Sequence, residues 1–181
     1  MQNLKLFTER LSLRPFAKSD GPRVQLLAGD ERIAQTTLNI PHPYPDGLAE
    51  EWIATHEDEF INRKSVILAI CTKHDDKLIG AIGIMLKHDF DRGEIGYWIG
   101  YPYWNMGFCT EACRAMIGYG FDVLKLNKIF SRHIDGNEAS GKVMLKSGMQ
   151  FEARLSKHVK HRGQYLDLFY YAIFRSDYKT Q

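Results

Sequence analysis

Between Glu94 and Glu111 the chain passes from an apolar stretch, Glu94-Ile95-Gly96-Tyr97-Trp98-Ile99-Gly100, through a turn at Trp104-Asn105-Met106-Gly107-Phe108 and straight into a helical pattern from Thr110. This order of strand, tight turn and helix constrains the fold more than any other part of the sequence. A helix that opens from such a turn presents backbone N–H groups with no intrahelical partner, and its dipole adds partial positive charge there. Gly107 lets the backbone approach an anion with no Cβ in the way. Thr110 is placed to cap the helix or to donate its hydroxyl. The segment therefore reads as a phosphate cradle. It lacks both the Gly-Lys-Ser/Thr ending of a Walker loop and the glycine spacing of a dinucleotide fingerprint.

The flanking periodicities supply the other elements. Leu4, Leu6, Leu11 and Leu13 alternate with polar residues, which predicts an opening strand broken near Thr8–Arg10 and ended by Pro15. Ser19 or Asp20 caps a helix running to about Gly29, and the prolines of Ile40–Pro45 impose an ordered loop. Asp46 caps a second helix, on which Leu48, Trp52, Ile53, His56 and Phe60 recur at helical spacing. Ser65–Cys71 and Lys77–Leu86 read as strands joined by a polar turn, and Glu94–Tyr101 as a third. The helix from Thr110 to about Leu124 carries the apolar stripe Ala112, Ala115, Met116, Tyr119 and Val123. A strand at Lys128–Ile134 precedes a short helix capped by Asn137 and closed by Gly148. Two long strands, about Met149–Lys160 and Gln164–Phe174, meet in a hairpin at Arg162-Gly163. The pattern is α+β around one sheet, without repeat or linker, and residues 1–181 form a single domain.

Net charge is +2, from 24 Lys and Arg against 22 Asp and Glu, with no dense basic run. The excess is too small to imply a nucleic-acid binder, and none is expected as a partner. Cys71, Cys109 and Cys113 have neither disulfide-framework nor zinc spacing, so small buried thiols in a reducing compartment are expected, and no metal. No secretory leader or membrane-length apolar run is present in these residues, and the expected location is cytoplasmic, away from membranes.

Several stretches in order make the chain resemble the GNAT acetyltransferases, in particular the RimJ/RimL-type protein N-terminal acetyltransferases. They are Thr8–Pro15, Ile79-Gly80, Glu94–Gly100, Tyr103–Ala112, Asn137-Glu138-Ala139-Ser140 and Ser147-Gly148-Met149. Two positions depart from the superfamily turn pattern: Trp104 stands where Gln or Arg is usual, and Cys109 where Gly or Ala is usual. The resemblance implies a mixed, largely antiparallel twisted sheet of about seven strands flanked by about four helices, with a splayed central strand pair. It implies acetyl-CoA as cosubstrate, its pyrophosphate on the turn Asn105, Met106, Gly107, Phe108, Cys109 and Thr110. Its pantetheine arm would pair with the strand edge Tyr97, Trp98 and Ile99, with Asn137 and Ser140 as further contacts.

The implied reaction is acetyl transfer to a primary amine by direct attack in a ternary complex. A backbone N–H on the Tyr97–Ile99 edge would serve the oxyanion. Glu94 is the candidate base and Ser140 a candidate acid, although a serine hydroxyl is a poor acid. His158, beside Val159, and a water relay stay open as alternatives for the base. The implied acceptor is the α-amino group of a protein, with ribosomal proteins as the implied class. A small amine such as a polyamine, amino acid or aminoglycoside is the alternative, and the acidic residues Glu50, Glu51, Glu57, Asp58 and Glu59 would suit it. A non-catalytic acyl-CoA-binding module is a third reading. Monomer and homodimer are both compatible with the sequence.

Overall fold

The computed structural model describes residues 4–179. In chain order the elements are β1 (Leu6–Phe7), β2 (Leu11–Arg14), α1 (Gly21–Ala28), α2 (Glu31–Thr36), α3 (Leu48–Ile61), β3 (Ser65–Thr72), β4 (Leu78–Lys87) and β5 (Arg92–Ile99). After them come α4 (Phe108–Asp122), β6 (Lys128–Ile134), α5 (Glu138–Lys146), β7 (Gln150–His161) and β8 (Gln164–Phe174). The eight strands make one sheet in the order β1-β2-β3-β4-β5-β6-β8-β7. Every neighbouring pair is antiparallel except β5 and β6.

The sheet has about the size expected and is one strand larger. The expected single opening strand is a small hairpin, with Leu6 opposite Leu13 and Phe7 opposite Ser12. Thr8 reverses the chain: its N–H bonds to Leu11 O at 3.0 Å, and its hydroxyl accepts from Leu11 N–H at 2.9 Å. A fifth helix, α2, is added between the first and second expected ones. It is capped by Asp30, whose carboxylate accepts from Arg32 N–H at 3.0 Å. Asp46 does not cap α3: Gly47 holds that place in a left-handed conformation, while Asp46 accepts from the Gln25 amide.

Helices cover both faces. α4 and α5 bury Ala112, Cys113, Met116, Ile117, Phe121 and Met144 against Leu13, Ile70, Ile95 and Ile129. On the opposite face, Val24, Leu27, Ala49 and Ile53 of α1 and α3 cover Ala69, Cys71 and Leu78. Strand alternation sends Ile95 and Tyr97 of β5 to the first face and Trp98 to the second. Between these layers lies the irregularity that matters. β5 and β6 are paired only over Arg92↔Lys128, Gly93↔Ile129 and Glu94↔Phe130, although β5 runs on to Ile99 and β6 to Ile134. The central pair therefore splays beyond Glu94.

Candidate active site

The walls of the splay are set by strand geometry. The buried Ser131 hydroxyl of β6 donates to Ile95 O at 2.7 Å and closes the narrow end. Ile95 therefore turns its carbonyl toward β6. Alternate residues of a strand direct their N–H and C=O groups to the same side, so Tyr97 and Ile99 direct theirs into the widening gap. Trp98 bonds toward β4, where Ala81 is its partner. Of the three edge residues expected from the resemblance, two thus present backbone polar groups to the gap.

At the wide end β5 runs into the turn. The Trp104 indole N–H donates to Ile99 O, tying turn to strand. Asn105 has φ 61° and Gly107 φ 80°, so both occupy the left-handed region that asparagine tolerates and glycine favours. The first α4 ladder bond runs from Glu111 N–H to Gly107 O at 3.1 Å. The amides of Phe108, Cys109 and Thr110 precede that ladder and have no acceptor within it. Helix α4 starts two residues earlier than the sequence pattern suggests, which puts Thr110 in the first turn and Gly107 at the cap.

A residue outside the expected set completes this corner. Arg10 donates from Nη1 to Met106 O at 3.0 Å, and its guanidinium lies 4.6 Å from the Phe108 ring centroid. It also pairs with Glu111, Nε to Oε2 at 2.7 Å. Burial disfavours the Glu111 carboxylate, but hydrogen bonds from the Thr8 hydroxyl and from the Arg10 backbone and guanidinium outweigh it and hold its pKa down. A Cβ at Gly107 would lie 3.4 Å from Arg10 Nη2. The turn therefore combines free helix amides, two left-handed residues and a nearby cation, a donor set suited to a phosphate. Arg10 is about a hundred residues away in sequence, and no local signal marks it.

On the α4/α5 face the Tyr97 hydroxyl reaches across the gap to Ser140, 2.9 Å from its Oγ and 3.1 Å from its carbonyl oxygen. Burial pushes the Tyr97 phenol well above its ordinary range. Asn137 caps α5 by accepting from Ser140 N–H at 3.2 Å, and its amide donates to Thr36 O at 2.9 Å. Burial also raises Cys109 far above its usual range and Cys113 to about 11, so both thiols stay protonated.

Glu94 lies on the opposite face, where β5 and β6 part. Its Oε1 accepts from Arg132 Nε at 2.8 Å, and Oε2 has no hydrogen bond among the described residues. It borders an open cavity of about 320 Å³ lined by Met85, Lys87, Arg92, Lys128, Phe130, Glu152 and Tyr170. His158 is exposed on β7 and is not part of that lining. The acidic residues of α3 do not line it either; Glu50, Glu51, Glu57 and Asp58 are exposed along that helix. Asp167 is committed to Arg154 and to Lys157 N–H. Among the described residues no cluster of His, Cys, Asp and Glu could hold a metal ion.

This geometry agrees with the chain's similarity to known proteins. Residues 10–150 match the family model described as "Acetyltransferase (GNAT) domain". The chain belongs to that family, whose members are N-acetyltransferases. Over 175 residues, 96% of this chain and 97% of the relative, it is 30% identical to an uncharacterized N-acetyltransferase, p20, of Bacillus licheniformis. It is 32% identical over 112 residues, 60% of either chain, to a putative ribosomal N-acetyltransferase, YdaF, of Bacillus subtilis. The fold is shared with the microcin C7 self-immunity acetyltransferase MccE, solved with acetyl-CoA and AMP. There the TM-score is 0.83 at 21% identity, over 92% of this chain and 93% of that one.

Proposed function

We propose that this enzyme transfers acetyl from acetyl-CoA to a primary amine, with the α-amino group of a protein as acceptor. The observation that carries the reading is the splayed β5–β6 pair leading into the Asn105–Thr110 turn. The strand edge fit for an extended amide-bearing arm leads into the amide-and-arginine corner fit for a pyrophosphate. Acetyl-CoA supplies the activated acyl group and a thiolate leaving group; the chain's own residues hold and orient it.

In this reading the amides of Phe108, Cys109 and Thr110 hold the pyrophosphate, with Arg10 beside them. The Tyr97 and Ile99 backbone groups pair with the pantetheine arm, and a backbone N–H of the same edge holds the oxyanion. Glu94, through its free Oε2, takes the proton of the attacking amine directly or through one water. The demand is modest, because an α-amino group has a pKa of about 7.7–8.0. Ser140, held by Tyr97, contacts the cosubstrate near the sulfur. Asn137 acts as the cap that aims Ser140. Direct attack is supported by Cys109 and Cys113, which burial keeps as thiols and therefore as poor nucleophiles.

The protein acceptor is supported by the partial likeness to the putative ribosomal N-acetyltransferase and by the absence of α3 carboxylates from the cavity at Glu94. The test is acetyl-CoA-dependent thiol release with peptides whose α-amine is free or blocked, followed by mapping of the acetyl group by mass spectrometry. Release that requires the free α-amine supports the reading. Acetylation of polyamines alone contradicts the acceptor, and CoA binding without release from any amine contradicts catalysis.

A further inference from the structure

The cavity beside Glu94 has an ordered charge pattern that the transfer reading leaves unused. It is built from two rungs across three adjacent strands. Met85, Glu94 and Phe130 are register partners on β4, β5 and β6, and Lys87, Arg92 and Lys128 form the next rung. The second rung therefore sets three cations side by side on one face of the sheet. Like charges directly opposite on neighbouring strands destabilise a sheet, whereas opposite charges across strands stabilise it. Here only Lys128 is neutralised, by Glu152. Lys87 and Arg92 have no carboxylate partner among the described residues, although they face each other directly. Asp89 and Asp91 lie in the connecting turn, yet neither lines the cavity nor pairs with these cations. Arg92 is instead braced by aromatic rings, 5.0 Å from the Phe90 centroid and 5.7 Å from Phe130. Three cations against two carboxylates line the space, and Arg132 further offsets Glu94.

We propose that the acceptor amine carries an anionic group close to its reacting nitrogen, and that Lys87 and Arg92 bind it. The acceptor class is a peptide α-amine followed by an acidic side chain, in preference to a polycation. This rests on the reading of Glu94 as the site of the amine. Two residues along a strand separate Glu94 from the cation row, about 6.6 Å. A carboxylate on the first or second residue of a peptide spans that distance. A polyamine entering the same cavity meets the cation row and is repelled, because the two free charges there have no screening partner.

The experiment uses matched peptides with Glu, Gln or Lys at the second position, and spermidine, assayed for acetyl-CoA-dependent thiol release. Binding of the same peptides is followed by calorimetry, which needs no turnover. The expected order of kcat/KM is Glu above Gln above Lys, with about tenfold or more between the extremes and a gap that shrinks in salt. Replacing the two exposed cations, Lys87→Gln with Arg92→Gln, should flatten the order in both rate and binding. Thiol release with no charge order, a reversed order, or an order that survives the double substitution overturns the proposal while acetyl transfer stands. Peptide binding in the expected order, lost in the double variant and unaccompanied by thiol release, upholds the charge recognition and overturns the transfer reading.

Discussion

At position 56 an imidazole is packed edge-on against Phe16 and Trp52, with ring centroids 5.2 and 4.5 Å away. Neither ring nitrogen has a hydrogen-bond partner among the described residues, and the residue is 3% exposed. Burial lowers its pKa from 6.5 to about 4. The unfolded chain therefore takes up this proton first, and its contribution to stability is complete above about pH 6.5 and is lost as pH falls toward 4. The loss amounts to about 3 kcal/mol at 1.36 kcal/mol per pKa unit. Urea denaturation of wild type and His56→Phe at pH 7 and pH 4.5 should show a smaller acid loss in the variant; equal losses would remove His56 from the account. At the site, Tyr97→Phe deletes the hydroxyl that holds Ser140. The expected result is a fall in kcat of about tenfold with little change in KM for acetyl-CoA, less than the hundredfold or more of a direct proton donor. An unchanged kcat would make that hydrogen bond merely structural.

Among the elements, α5 is held at its start by one side chain. Asn137 caps the helix and ties it to the last carbonyl of α2. Asn137→Ala should cost about 1–2 kcal/mol in chemical denaturation, the upper part of the usual range for a cap, because it loses the tie as well. A cost no greater than that of an exposed surface substitution would contradict the double role. The elements easiest to read from sequence are those with local chemistry. Arg162 and Gly163 have φ 48° and 85°, the primed turn of a two-residue hairpin, and Asn105 and Gly107 occupy the left-handed positions their residue types favour. The elements that escaped lack such signals. Helix α2 is six residues long and ends in polar and β-branched residues, so no apolar period marks it. The β1–β2 turn depends on the Thr8 side chain, which propensity does not register. Arg10 at the turn and Arg132 on Glu94 are long-range contacts. The Lys87–Arg92–Lys128 row exists only once three strands are in register.

Across the whole molecule, one departure from regular pairing organises the rest. The sheet is covered on one face by α4 and α5 and on the other by α1 and α3, and the splay between β5 and β6 opens between these layers. It ends at the α4 N-terminus, where Arg10 from the far end of the sheet meets the turn. The central claim is that this corner holds the pyrophosphate of acetyl-CoA, and Gly107→Glu tests it most directly. The substitution adds a carboxylate to the cradle and places a side chain at φ 80°, at a local cost of about 1–2 kcal/mol. CoA would be titrated calorimetrically into wild type and variant, with a thermal melt confirming that each is folded. The account predicts one CoA bound per wild-type chain and no measurable binding to a folded Gly107→Glu; equal affinity in the two would contradict it.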